Sequence, residues 1–488
     1  MKKISILLFS LVIGAIALQS CEDEDDNAVP VNDFIYKGLN LYYLYKDKIP
    51  NLADDRFSNQ AELNNFLEAY TSPEQLFENL LYREDESGNK IDRWSVLFSD
   101  FTVLENLLQG VGKSNGVEFG LIYTDASQTG VFGYVRYVMP NSDASGKDIQ
   151  RGDIFYAVNG TPLTESNYQT LLGTDTYTLN MADYNGGAIT PNGQEVTLTK
   201  EEYSENPVNK VQTTTVGSHN IGYLMYNGFY SNYDADLNAA FAQLKGGGVT
   251  DLVLDLRYNG GGSVQTATYL ASMITGQFNG QLFAKEQWNT RLQDYYENNN
   301  PNALKELFAN KLSNGAGINS LNLTKVYVLT SKSTASASEL VINCLKPYIN
   351  VVQIGNTTVG KNVASITLYD SPDFSKNHRD GSHKYAMQPI VLKTVNASGF
   401  GEYSAGITPE TSNLLVEDYG NLGVLGETSD PLYARAVALI TGSGKYAHPA
   451  PDKEFKQFKD SKSMRRFGNE MYVEEMPEGA IGLLKNLQ

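Results

Sequence analysis

The run Thr250-Asp251-Leu252-Val253-Leu254-Asp255-Leu256-Arg257 constrains the fold more than any other segment. It is apolar enough to be buried on both faces, which a strand achieves in a sheet covered by helices. Gly260-Gly261-Gly262 follows, then a helical pattern from about Ser263 to Thr275. A second unit repeats that order. The strand Val326-Tyr327-Val328-Leu329-Thr330 leads into a polar turn and a helix from about Ala337 to Lys346, which Pro347 ends. From about Asn206 to Gly444 strand-like and helix-like segments alternate, so 206–444 reads as one α/β domain.

The 488 residues leave room for roughly three domains. Over 33–109 the apolar positions recur at spacings of three and four (Leu39, Tyr42, Tyr43, Leu63, Phe66, Leu67, Leu76, Leu80), which predicts a small helical domain. Ser72-Pro73-Glu74 is a helix start with proline in the first position. Over 110–205 short β-rich runs such as Val131–Val138 and Asp153–Val158 alternate with Gly, Asn and Pro turns. The stretch 445–488 is polar, and the sequence leaves open whether it is an ordered extension or a loose arm.

Formal net charge is -18, which argues against nucleic acid as a partner because phosphate binding needs a basic field. Two cysteines, Cys21 and Cys344, rule out a disulfide framework and a four-cysteine zinc site, and four scattered histidines leave little for another metal. Residues 1–20 read as a leader: Lys2 and Lys3 precede an apolar run, Ile4 to Leu18, that is short for a membrane span. The leader ends Leu18-Gln19-Ser20-Cys21, which resembles the lipobox of bacterial lipoproteins and implies lipidation at Cys21. The acidic run Glu22-Asp23-Glu24-Asp25-Asp26 makes 21–32 a solvated tether, and it resembles the export tag of some surface lipoproteins.

The chemistry concentrates in the second strand–helix unit. Ser331, Ser333, Thr334, Ser336 and Ser338 cluster where a helix N-terminus offers unpaired N–H groups and its dipole to a developing oxyanion. A serine hydroxyl needs a base, and no histidine lies in a recognisable motif. Lys361, set among apolar residues in Thr358-Val359-Gly360-Lys361-Asn362-Val363, suits the task, since burial favours the neutral amine. The glycine triplet lacks the Lys-Ser or Lys-Thr of a phosphate loop. Ser338 reads as a capping or hydrogen-bonding residue, and Cys344 as core.

Two resemblances follow from these motifs. Gly116-Val117-Glu118-Phe119-Gly120-Leu121, Val138-Met139-Pro140-Asn141-Ser142-Asp143-Ala144 and Gln150-Arg151-Gly152-Asp153-Ile154 through Val158-Asn159-Gly160 are similar to the peptide-binding loop and following stretch of PDZ domains. That likeness implies a PDZ-like β-rich domain with Val117, Phe119 and Gly120 in its peptide-binding loop. Ser333-Thr334-Ala335-Ser336-Ala337-Ser338-Glu339, Thr358-Val359-Gly360-Lys361, Asp255-Leu256-Arg257-Tyr258-Asn259-Gly260-Gly261-Gly262 and Gly406-Ile407-Thr408-Pro409-Glu410 resemble the motifs of the C-terminal processing peptidases, or tail-specific proteases.

This second resemblance implies an α/β crotonase-like (ClpP/crotonase type) catalytic domain. Ser336 is then the nucleophile and Lys361 the base, with the N–H groups of Gly261 and Ala337 as the oxyanion hole. The family places a glutamine four residues after the lysine, where this chain has Ser365, leaving the third catalytic member open; Glu339, His378 and His383 are weaker candidates. The implied function is a serine endopeptidase of the bacterial cell envelope, anchored by lipid at Cys21 to the outer membrane and cutting polypeptides near C-terminal segments. No cofactor, metal or nucleic acid is expected, and oligomeric state is left open. The alternatives are a peptide-binding pseudo-protease and, less favoured given the leader, an enzyme acting on a thioester.

Overall fold

The computed structural model describes residues 30–443 and 455–476, with 479, 482 and 483. The leader, Cys21, the tether as far as residue 29 and the stretch 444–454 lie outside the described residues. The chain opens with α1 (Pro30–Tyr42), α2 (Gln60–Glu68), α3 (Pro73–Asn79) and α4 (Phe101–Leu108). Side-chain caps start three of them: Asn59 accepts from the Glu62 N–H, Ser72 from Gln75 with Pro73 behind it, and Asp100 from Thr102. Helices of 7 to 13 residues bury too little surface to stand alone. Instead of forming a separate core, Phe34, Leu39, Leu67 and Leu76 join the same buried cluster as Leu254, Leu270, Val328 and Leu340.

The β-rich domain comprises β1 (Val117–Tyr123), β2 (Val131–Val138), β3 (Ile154–Val158), α5 (Tyr168–Gly173), β4 (Thr176–Asn185) and β5 (Ala188–Thr199). The strands lie in sequence order in an antiparallel sheet over a core of Leu121, Val135, Phe155, Leu179 and Leu198. Asn159 and Gly160, both at positive φ, form the two-residue connection after β3.

The α/β domain follows: β6 (Val208–Val216), β7 (His219–Tyr226), α6 (Asp234–Gly246), β8 (Asp251–Asp255), β9 (Gly262–Ser263), α7 (Val264–Thr275), β10 (Leu282–Trp288), α8 (Thr290–Asn299), β11 (Lys305–Leu307), β12 (Lys325–Thr330), α9 (Ala337–Leu345), β13 (Asn350–Gly355), β14 (Val363–Ser365), β15 (Ile390–Asn396) and α10 (Pro431–Thr441). Its main sheet has the order β6-β7-β8-β12-β13, parallel from β7 onward. As its sequence requires, β8 is covered on both sides. Leu252 and Leu254 face the cluster that holds Leu270 and Leu340, whereas Val253 faces the one that holds Leu432 and Val437 of α10.

The C-terminal stretch is ordered over 455–476 and enters both domains. β16 (Gln457–Asp460) pairs antiparallel with β1 and becomes the edge of the β-rich sheet. β17 (Met471–Tyr472) lies parallel between β9 and β14, in a second sheet of order β9-β17-β14-β15-β10-β11.

Candidate active site

Two strand-to-helix turns meet at the C-terminal ends of β8 and β12, and Asn259 ties them together. Its amide donates to the Tyr226 carbonyl at 2.8 Å, its side-chain oxygen accepts from the Gly261 N–H at 2.8 Å, and its carbonyl accepts from the Ala335 N–H at 3.1 Å and the Ser338 hydroxyl at 3.2 Å. Beneath them the Arg257 guanidinium is fully buried between Asp255 and Asp430, 2.6 Å from the latter. A buried arginine needs such carboxylates to offset desolvation.

The hydroxyl cluster at the second turn resolves into distinct roles. Ser331 donates to the Arg257 carbonyl, Thr334 to the Leu256 carbonyl at 2.8 Å, and Ser338 to that of Asn259. Ser333 bridges Arg136 of β2 and Asp460 of the C-terminal stretch. Ser336 differs: its Oγ is buried and has no hydrogen-bond partner among the described residues. Its backbone sits at φ 66 and ψ -120 immediately before α9, a conformation that costs a non-glycine residue of order 1–3 kcal/mol. Ala337 opens the helix and is fully buried. Across from the serine, Gly261 has φ +112; a Cβ there would lie 2.5 Å from Ser336 Cβ and 2.9 Å from its Oγ, so glycine alone permits the approach. The Gly261 N–H is taken by Asn259, whereas the neighbouring Gly262 N–H donates to the Glu470 carbonyl.

Lys361 is fully buried beside the Trp94 ring, 5.4 Å from its centroid. Its ammonium donates to the Glu470 carboxylate at 2.7 Å and the Asn469 carbonyl at 2.9 Å, not to Ser336. Burial pushes the lysine below its ordinary pKa, while Glu470 pulls it back up. The same burial raises Glu470 to about 7 against the opposing pull of Lys361. Ser365 lies on β14 and its hydroxyl donates to the Met471 carbonyl at 3.3 Å; the structure joins it to the C-terminal stretch, not to the lysine. His383 is paired with Asp370 at 2.8 Å. Cys344 is core, its thiol pushed up by burial. Val117, Phe119 and Gly120 all lie on β1, and the Phe119 N–H donates to Ser461 Oγ. Among the described residues no group of three or more His, Cys, Asp or Glu side chains is placed to hold a metal ion.

Sequence reasoning undervalued Glu339 and missed Glu470. The fully buried Glu339 carboxylate accepts from the N–H groups of Ser336 (2.7 Å), Gly360 (2.7 Å) and Lys361 (2.8 Å) and from the Thr358 hydroxyl, so one side chain fixes the nucleophile turn against the lysine turn. Burial raises its pKa and these four donors oppose the rise. The available signal was Ser336-x-x-Glu339, the spacing of a capping box. Nothing marked Glu470, which stands 109 positions from Lys361 in an unassigned tail.

A strained, buried serine at a strand-to-helix turn packed against a glycine loop is the kind of arrangement that serine hydrolases use. Residues 220–375 match the Peptidase family S41 profile, and residues 30–96 match the peptidase S41 N-terminal domain. These two stretches mark peptidase S41 (C-terminal processing peptidase) domains within the chain. It is 26% identical over 276 residues to the chloroplastic C-terminal processing peptidase of Tetradesmus obliquus, covering 54% of each chain. It is also 26% identical over 207 residues to the carboxy-terminal processing protease CtpA of Bacillus subtilis (strain 168), covering 42% of this chain and 38% of that one. The chain thus spans about half the length of the curated relatives it matches. In structure it resembles an S41 protease from Bacteroides fragilis NCTC 9343, with TM-score 0.64 and 26% identity over 84% of this chain and 98% of the other.

Proposed function

We propose that this chain is a serine endopeptidase that uses Ser336 as nucleophile and Lys361 as general base. The observation that carries the reading is the isolation of one hydroxyl. Ser331, Ser333, Thr334 and Ser338 at the same turn all donate to named acceptors, while Ser336 Oγ is held unpartnered among the described residues in a strained conformation facing a glycine loop. Neutral Lys361 accepts the Ser336 proton as Oγ attacks a peptide carbonyl, and the backbone N–H groups of Ala337 and of Gly262, the latter once the Glu470 carbonyl leaves it, stabilise the oxyanion. The lysine returns the proton to the leaving amine. A water then gives up a proton to Lys361 and splits the acyl ester, freeing the new C-terminus and regenerating Ser336.

The β-rich domain reads as PDZ-like: the β1 edge takes an extended peptide as an added strand, with Val117, Phe119 and Gly120 in its binding loop. The catalytic domain reads as crotonase-like, and the leader with Cys21 places the enzyme on the outer membrane of a bacterial envelope through a lipid. The test is digestion of an unfolded polypeptide by the chain lacking residues 1–21, beside its Ser336→Ala and Lys361→Ala variants, with products read by mass spectrometry. The parent is expected to cut and both variants to lose at least a thousandfold in rate. Equal silence from three folded proteins would leave a peptide-binding chain without peptidase activity.

A further inference from the structure

Residues 455–476 trace a continuous path from the β1 edge to Ser336. β16 lies along β1 with Asp460 opposite Gly120. Phe119 and Ser461 then exchange bonds, the Phe119 N–H to Ser461 Oγ at 3.1 Å and the Ser461 N–H to the Phe119 carbonyl at 3.0 Å. Asp460 is clasped by Arg136 at 3.0 Å and by Ser333 of the nucleophile turn. Lys462 reaches the Asn227 carbonyl at 2.6 Å, and Arg465 reaches Glu118. Beyond Gly468 the chain enters the site. The Glu470 carbonyl accepts from the Gly262 N–H, and a Cβ built on Gly261 would sit 2.2 Å from that oxygen and 2.9 Å from Ser336 Oγ. The Val473 N–H donates to the Ser365 carbonyl at 3.0 Å, completing a strand between β9 and β14.

We propose that residues 455–476 are an intramolecular strap occupying this enzyme's polypeptide-binding path, so that the chain cuts only slowly until the strap leaves and substrates bind as extended chains in its place. The inference rests on the peptidase reading. The strap's backbone is substrate-like, pairing with an open strand edge at one end and offering a carbonyl to the glycine loop beside the serine at the other. Its side chain is inhibitory: the Glu470 carboxylate holds the Lys361 ammonium and favours its protonated form, while Asn469 takes another of its hydrogen bonds. One residue thus presents a carbonyl to the nucleophile's loop and withholds the base. The strap is fastened by these polar and ionic contacts and also by apolar ones, Phe458 against Tyr123 and Tyr168 at one end and the buried Met471 at the other, so its release exposes apolar surface as well as breaking bonds.

The test uses the chain from residue 22 to 488 with the recognition sequence of a site-specific protease placed within 445–453. Cleavage of an unfolded polypeptide is followed in the Ser336 form. Uptake of a fluorescent synthetic peptide of residues 455–476 is followed in a Ser336→Ala form. Before the cut, no probe uptake is expected. After it, the probe exchanges in, cleavage rises at least tenfold, and excess unlabelled peptide reverses both. A folded cut chain that takes up no probe, or whose cleavage ignores the peptide, overturns the strap. Probe uptake without cleavage by any form supports the strap and counts against the peptidase reading. Should the cut chain unfold, uncut Glu470→Ala decides: a severalfold rise in cleavage supports the strap, and an unchanged or lower rate overturns it.

Discussion

The two ends of the C-terminal stretch are each fastened by a buried carboxylate on a buried cation, yet the two pairs differ in kind. At the β-rich end Asp460 has the Arg136 guanidinium, the Ser333 hydroxyl and the Ser463 N–H around it. Burial alone would raise its pKa, but these donors carry it down to about 2. At the active-site end Glu470 has Lys361, with Asp92 opposing it nearby, and burial prevails, taking it up to about 7. Donor number decides between the two outcomes, because a delocalised guanidinium with two further donors repays desolvation where one ammonium does not. The first end is an anchor and the second a latch.

The largest effect is expected at the anchor. Asp460→Asn leaves Arg136 buried without its charge partner, and breaking a buried pair costs about 3 kcal/mol. That corresponds to roughly a hundredfold weaker uptake of a 455–476 peptide carrying the change by the cut chain. Anisotropy titration against the unchanged peptide measures it. A loss below about threefold would mean that Arg136 is satisfied without Asp460, and the contrast between the ends would collapse.

The elements that build this contrast were unequally legible in the sequence. Strand and helix limits were readable because they follow local chemistry. Ser72 and Ser263 cap the helices their positions announce, and the apolar runs around Leu254 and Val328 became β8 and β12. Ser336 and Lys361 stood out through motif and spacing. What local pattern lacks is pairing over distance. Ser461 meets Phe119 across 342 positions, and Gln457–Asp460 is a polar segment with little strand signal. The merging of α1 to α3 into the α/β core was hidden for a related reason, since periodicity shows that a helix has an apolar stripe and not what covers it.

At the latch the effect is smaller and depends on pH. Glu470 is raised above its ordinary 4.5 when docked, so the docked strap holds a proton that a free one releases between about pH 4.5 and 7. Stability of docking therefore falls as pH rises through that window and is level above it. The charged groups facing the pair are Lys361, Glu470, Asp92 and Arg93. Asp460, with its pKa already depressed to about 2, contributes docking stability that is complete above about pH 3.8 and does not vary in this range. Uptake of the 455–476 peptide by the cut chain is expected to weaken about tenfold between pH 5.5 and 7.5. With Glu470→Gln in the peptide the dependence flattens. The same change in the intact chain moves the alkaline rise in cleavage to lower pH, because the carboxylate that props up the Lys361 pKa is gone. A pH dependence that survives Glu470→Gln would locate the latch elsewhere.

The smallest effect separates two roles for Ser365. If its hydroxyl only fastens the strap, Ser365→Ala removes one neutral hydrogen bond of 3.3 Å to the Met471 carbonyl, and the backbone bond from the Val473 N–H stays. A neutral bond of that length is worth at most about 1 kcal/mol, or roughly fivefold in uptake of the 455–476 peptide. The position of the alkaline rise in cleavage should not move, since the hydroxyl is not among the partners of Lys361. If Ser365 instead orients the lysine once the strap has left, its removal shifts that rise and lowers kcat in the cut chain while peptide uptake holds. The two readouts move in opposite combinations, so measuring both on one variant assigns Ser365 either to the strap or to the base.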